Sequence, residues 1–159
     1  MSSSQEQITE SVQSYYTEVL KSNQDLKTNA CCATESLPAY IREVLKSIHP
    51  EVTSRFYGCG SPIPNAIENK VVLDLGCGTG RDSFIFSKLV GENGHVIGVD
   101  MTSAQIAIAK KYADYHRNKF GYRCSNTTFH EGYIEDLSTI NIEDNSIDLV
   151  TSNLSLIHI

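Results

Sequence analysis

Apolar positions along the chain change their period partway through, and the change separates a helical opening from an alternating remainder. Over residues 5–21, Ile8, Val12, Tyr15, Tyr16, Val19 and Leu20 recur at helical spacing, which predicts a helix. Asn29 and the small residues through Thr34 interrupt the pattern. It resumes in SLPAYIREVLKSI, where Ile41, Val44, Leu45 and Ile48 share one face and Ser36 and Pro38 are start signals. His49-Pro50 is expected to end that helix, with a further helical turn around Val52–Phe56. Gly58, Gly60, Pro62 and Pro64 then punctuate residues 57–69, which read as loop.

From residue 70 onward short apolar runs alternate with longer amphipathic ones. KVVLDLG and HVIGVD read as buried strands, TTFHEG as a weaker third and SIDLVTSN as a fourth. Between them RDSFIFSKLV reads as a helix closed by the turn GENG, and TSAQIAIAKKYADYHRNKFG as a second helix. Thr102 and Gln105 have the spacing of a capping box at its start. YIEDLSTI, residues 133–140, reads as a short helix. Strands separated by helices predict parallel pairing in an α/β doubly wound, Rossmann-like sheet. The expected organisation is a helical segment with cysteine-bearing loops over 1–69, a ligand-binding α/β domain over 70–153, and a tail over 154–159.

Charge and composition narrow the partners. Lys and Arg number 13 against 19 Asp and Glu in 159 residues, a formal charge of −6, with no basic stripe to neutralise phosphates. Nucleic acid is not an expected partner. No apolar run approaches the roughly 20 residues that cross a bilayer, and MSSSQEQITES lacks the regions of a secretory signal. A cytoplasmic protein without membrane partners is expected. Five cysteines, at 31, 32, 59, 77 and 124, form neither a C-x-x-C pair nor a zinc spacing with the histidines, so free thiols are expected.

VLDLGCGTGRD, residues 72–82, carries the most chemistry. A strand must turn sharply into a helix, and Gly76, Gly78 and Gly80 allow a ligand close to the backbone. The spacing G-x-G-x-G differs from the G-x-G-x-x-G of dinucleotide folds, and no Gly-Lys-Ser/Thr of a phosphate loop follows. Asp74 would repel a pyrophosphate but pairs with an ammonium, and Asp100 ends the second strand where a carboxylate can accept from two ribose hydroxyls. An adenosine bearing a cationic amino acid, S-adenosylmethionine, fits this donor set.

DLGCGTG followed by GVD resembles the motifs of class I S-adenosylmethionine-dependent methyltransferases, whose fold is a seven-stranded Rossmann-like sheet. That resemblance implies cofactor contacts at Asp74, Gly76, Gly78, Gly80 and Asp100, with Met101 and Gln105 over the adenosine, Ile134 and Glu135 flanking the adenine, and Ser152 and Asn153 beside the methyl group. More specifically, DLKTNACC, FYGCG, GVDMT, YADYHRNKFGY and GYIEDL occur in an order that resembles arsenite methyltransferases over residues 10–153. The resemblance implies that Cys31 and Cys59 hold trivalent arsenic as substrate, with Cys32 an added neighbour, and that Tyr57 meets the cofactor. It also implies a thiol reductant and a monomeric full-length enzyme. Thiolates favour so soft a centre, and an arsenic lone pair attacks a methyl without a general base.

The pattern departs from that family after Asn153. Leu154 stands where the family has another cysteine, and LSLIHI replaces its further strands. Four strands would leave an open edge, so the chain is expected to be an N-terminal fragment of a longer enzyme that binds cofactor weakly. Two alternatives stay open from the sequence: a methyltransferase for another small molecule, and a non-catalytic thiol module that binds metalloid. A nicotinamide-binding domain is disfavoured by the glycine spacing. Cys77 and Cys124 are expected to be bystanders.

Overall fold

The computed structural model describes residues 37–56 and 63–153. In chain order these form α1 (Ala39–Leu45), α2 (Pro50–Thr53), β1 (Val71–Leu75), α3 (Arg81–Val90), β2 (His95–Asp100), α4 (Ser103–Phe120), β3 (Thr127–Glu131) and β4 (Leu149–Ser152). The predicted helix over 5–21 lies outside the described residues, as do Cys31, Cys32, Tyr57 and Cys59.

All four strands pair in parallel, in the spatial order β3-β2-β1-β4. Val, Leu and Ile make up most of β1 and half of β2, and the strand centres are buried from both sides, as in a parallel sheet. The order reverses at β1, which lies between β2 and β4. Ligands of open α/β sheets bind at such a switch point, outside the carboxyl ends of the strands.

Glycines set the ends of the two long helices. Gly80, with φ of 85°, lets the chain turn out of the loop into α3. Gly121, with φ of 80°, closes α4 through bonds from its own amide to Asn118 and from the Tyr122 amide to Arg117. One face of the sheet packs Phe84 and Ile85 of α3, Ile106 and Ala109 of α4, and Phe129 against Ile41 and Val52 from the preceding helices. On the other face Leu73 and Val99 meet Ile140, with Leu137, Ile142 and Ile147 beside it.

His116 is the polar keystone of the first core. Its ring is 1% exposed and stacks on Phe84 at 3.7 Å between centroids. The backbone amide of His49 donates to Nε2 at 3.2 Å, so Nδ1 carries the proton and donates to the Tyr112 carbonyl at 2.7 Å. Burial pushes the imidazole down to about 4. The same contact anchors α2, which Glu51 reinforces by accepting from the Tyr112 hydroxyl and from Lys111 at 2.9 Å.

Three local expectations are corrected. Residues 133–140 form no helix: the Asp136 amide bonds the Tyr133 carbonyl, and the Asp136 side chain accepts from the Ser138 amide. An aspartate that captures nearby backbone in this way favours a turn, and burial of Ile140 holds the segment against the sheet. Thr102 precedes α4 without a side-chain cap; Asp100 takes the cap-region amide instead. His49-Pro50 opens α2 rather than ending α1, which stops at Leu45, because Pro50 suits a first helical turn and His49 Nδ1 accepts from the Glu51 amide.

Candidate functional site

The turn from β1 into α3 is built so that backbone, rather than side chains, faces the switch point. Gly76, Gly78 and Gly80 all have positive φ, at 73°, 55° and 85°. At Gly78 a Cβ would have nothing within 4 Å, so the space above that peptide is open. At Gly80 it would lie 3.1 Å from the rings of Phe129 and Phe84, so that glycine serves packing as well as conformation. The amides of Gly76 and Cys77 both donate to the Val99 carbonyl, at 2.8 and 2.9 Å, which fastens the loop to the end of β2.

Asp100 completes the fastening. Its Oδ2 accepts from the Gly78 amide at 2.9 Å and its Oδ1 from the Thr102 amide at 2.9 Å. A carboxylate has about four acceptor positions, so the group is aimed by these bonds while still able to accept from a ligand hydroxyl. Burial raises its pKa, and the two amide bonds together with the Thr102 hydroxyl oppose that rise. Met101 follows it, half-buried.

Asp74 sits below the loop, 2% exposed, and Ser83 Oγ of α3 donates to its Oδ2 at 2.5 Å. Burial first, then the nearby Asp82 and Asp100, push its carboxyl up to about 7. Asp82 forms a third acidic point, which Arg81 Nη1 and Asn153 Nδ2 approach at 2.8 and 2.7 Å. The Arg81 guanidinium also lies 3.7 Å over the Phe56 ring, at the residue before Tyr57. Thr79 Oγ1 donates to the Val52 carbonyl at 2.9 Å, so α2 is joined to the glycine loop itself.

The structure therefore brings Asp74, Gly76, Gly78, Gly80, Asp100 and Met101 around one loop, with Asn153 at its β4 side. Ile134 and Glu135 lie exposed in the turn after β3, whose Gly132 amide bonds the Asp100 carbonyl at 3.0 Å. Cys77 is buried in the loop, and burial raises its thiol well above the ordinary range. It packs beside Gly98 and Phe129 as a small apolar filler. Cys124 is exposed on the connection before β3. Among the described residues, no three His, Cys, Asp or Glu side chains gather as a metal site, and no helix is long and apolar enough to cross a membrane.

Ser83, Asp82 and Arg81 were not singled out from the sequence. Their signal was available in the sequence, since these three polar residues directly follow the glycine turn and precede the apolar run Phe84-Ile85-Phe86. An S-adenosylmethionine molecule fits what is present. The site supplies an aimed carboxylate for hydroxyls, a glycine surface for close approach, and acidic side chains where a phosphate would be repelled.

Comparison with known proteins agrees with this geometry. A methyltransferase domain model matches residues 67–159. The human arsenite methyltransferase is 51% identical over 148 residues, which is 92% of this chain and 40% of the relative. An arsenite methyltransferase from Aquipseudomonas alcaligenes is 48% identical, covering 91% of this chain and 41% of the relative. The crystal structure of an arsenic (III) S-adenosylmethionine methyltransferase from Chlamydomonas reinhardtii superposes with a TM-score of 0.72 at 50% identity, covering 74% of this chain and 40% of that one. The chain thus spans about 40% of the length of the curated relatives it matches. With its parallel sheet, glycine turn and acidic β2 terminus, this chain belongs to the methyltransferase domain family and has the class I S-adenosylmethionine-dependent fold.

Proposed function

We propose that this chain acts in S-adenosylmethionine-dependent methylation of thiol-bound trivalent arsenic. The observation that supports it most is the Gly78–Asp100 junction at the switch point, in a chain about half identical to arsenite methyltransferases over nine-tenths of its length. Asp100 would take the ribose hydroxyls and Asp74 the ammonium, while Gly76, Gly78 and Gly80 admit the methionine part against the backbone. Met101 would cover the adenosine, Ile134 and Glu135 would flank the adenine, Tyr57 would meet the cofactor and Asn153 would lie beside the methyl group. When bound, the cofactor supplies a methyl group on a sulfonium, an electrophile for a soft lone pair.

Cys31 and Cys59 would hold the arsenic, with Cys32 as a neighbouring thiol. Thiolate ligation leaves trivalent arsenic a lone pair, so the protein needs no base and contributes alignment. Cys77 is excluded from this role because its thiol is buried and held protonated. The reading brings with it a thiol reductant and a monomeric, cytosolic enzyme.

Two titrations on the chain test it. Calorimetry with S-adenosylhomocysteine should give saturable binding, and phenylarsine oxide should bind the parent but neither Cys31→Ser nor Cys59→Ser. Binding of the nucleoside without the arsenical would direct the site to another methyl acceptor. Failure to bind the nucleoside would remove the cofactor assignment.

A further inference from the structure

At the level of Asp74 the register across the sheet is Phe129, Gly98, Asp74, Thr151. Residues in register on neighbouring parallel strands present side chains to the same face. Here it is the face under α3, since Ser83 bonds Asp74 and the Phe129 ring meets Phe84. Gly98 contributes no side chain, and Phe129 occupies the space: a Cβ on Gly98 would lie 2.7 Å from its Cδ1. An aromatic ring thus closes the β2 side of Asp74, and the polar side is turned to β4.

Thr151 stands on that side. It is 7% exposed, and its buried Oγ1 has no hydrogen-bond partner among the described residues. Buried hydroxyls are seldom left without one. A valine would fill the same position in a strand and require nothing, so the hydroxyl is available to a polar group of a ligand. Asp74 and Thr151 sit on adjacent strands about 4.8 Å apart, a spacing that a small group with several donors can bridge.

The direction of the ligand follows from the site. With the ribose at Asp100, beyond β1 on the β2 side, the amino-acid end must run over the glycine loop toward β4. Its ammonium has three N–H donors and a positive charge. We propose that Thr151 is a second binding residue for the cofactor's ammonium, accepting through Oγ1 beside the Asp74 carboxylate. The assignment rests on the cofactor reading given under Proposed function.

A pair of nucleosides isolates the contact. S-adenosylhomocysteine carries the amino acid, whereas 5′-methylthioadenosine has the same adenosine and thioether without it. By calorimetry, Thr151→Val should weaken S-adenosylhomocysteine about tenfold and leave methylthioadenosine within about twofold. Thr151→Ser, which restores the hydroxyl, should stay within about threefold of the parent for both. Thr151→Ala repeats the deletion with a smaller side chain should the valine variant fail to fold, as judged by thermal shift. Unchanged S-adenosylhomocysteine binding in both deletions overturns the proposal, and so does an equal loss for the two nucleosides, which marks a structural role. A parent that binds neither nucleoside overturns the cofactor reading together with this contact, so the two failures are distinct.

Discussion

Gly78 and Asp100, 22 residues apart in sequence, are joined by one bond from a loop amide to a carboxylate at the end of the neighbouring strand. The bond aims Asp100 at the switch point and at the same time holds the glycine turn in place. Replacing Asp100 by alanine should therefore act on both. Cofactor affinity should fall by about 1.5–3 kcal/mol, roughly ten- to a hundredfold, since hydrogen bonds to a charged group are lost. Asp100→Asn, which keeps one acceptor, should fall between. Calorimetry with S-adenosylhomocysteine measures this, and unchanged affinity would remove Asp100 from the ribose.

Glycines of the site separate by what surrounds them. Gly78→Ala meets open space, so its cost is that of a left-handed alanine, about 1–2 kcal/mol. Gly98→Ala has ordinary φ but drives a methyl to 2.9 Å from Cys77 Sγ and closer still to Phe129. Phe129 is buried and cannot retreat, so overpacking should cost about 1–3 kcal/mol. Urea unfolding gives both numbers. Gly78→Ala should also impair nucleoside binding by covering the open peptide, and Cys77→Ala should partly rescue Gly98→Ala.

Two buried groups pull stability in opposite directions with pH. His116 is pushed down from 6.5 to about 4, so between those values the unfolded chain binds more protons and stability rises with pH. Asp74 is pushed up from 3.8 to about 7, so over nearly the same window the folded chain binds more protons and stability falls as pH rises. Each contributes on the order of 3–4 kcal/mol across its window, at about 1.4 per pH unit. The parent should thus show a shallow profile from pH 4 to 7 by urea unfolding. Asp74→Asn should steepen the rise, and His116→Gln should turn it into a fall.

The buried Asp82 gathers Arg81 and Asn153 around one carboxylate. Asp82→Ala should cost about 3 kcal/mol in urea unfolding, because a buried guanidinium loses its charge partner. Asp82→Asn keeps one acceptor and should cost less. A loss under 1 kcal/mol for the alanine variant would mean that neither the Arg81 pair nor the Asn153 bond to Asp82 contributes to stability.

Thr79→Val tests the tie between α2 and the loop. It leaves the Val52 carbonyl without its donor, at a cost of about 1–3 kcal/mol. Hydrogen exchange in α2 should accelerate while α4 stays protected. Equal acceleration in both would show that the bond stabilises the whole fold rather than this junction.

Much of this molecule is legible in the order of its residues. Runs such as VVLDL and HVIGVD, separated by amphipathic helices, favour a parallel sheet covered on both faces, and that sheet is present. The glycine spacing with Asp74 and Asp100 also marks the candidate site, because turn conformation and local charge depend on neighbours in sequence. Residues 133–140 escaped, since Asp136 captures the Ser138 amide and burial of Ile140 overrides helical spacing. Other relationships arise only when distant strands and helices meet. Ser83 reaches Asp74, His49 reaches His116, and Thr151 comes level with Asp74 through a register that side-chain burial selects. Local pattern sets which faces must be buried; close packing of those faces decides which polar groups end up sharing the interior.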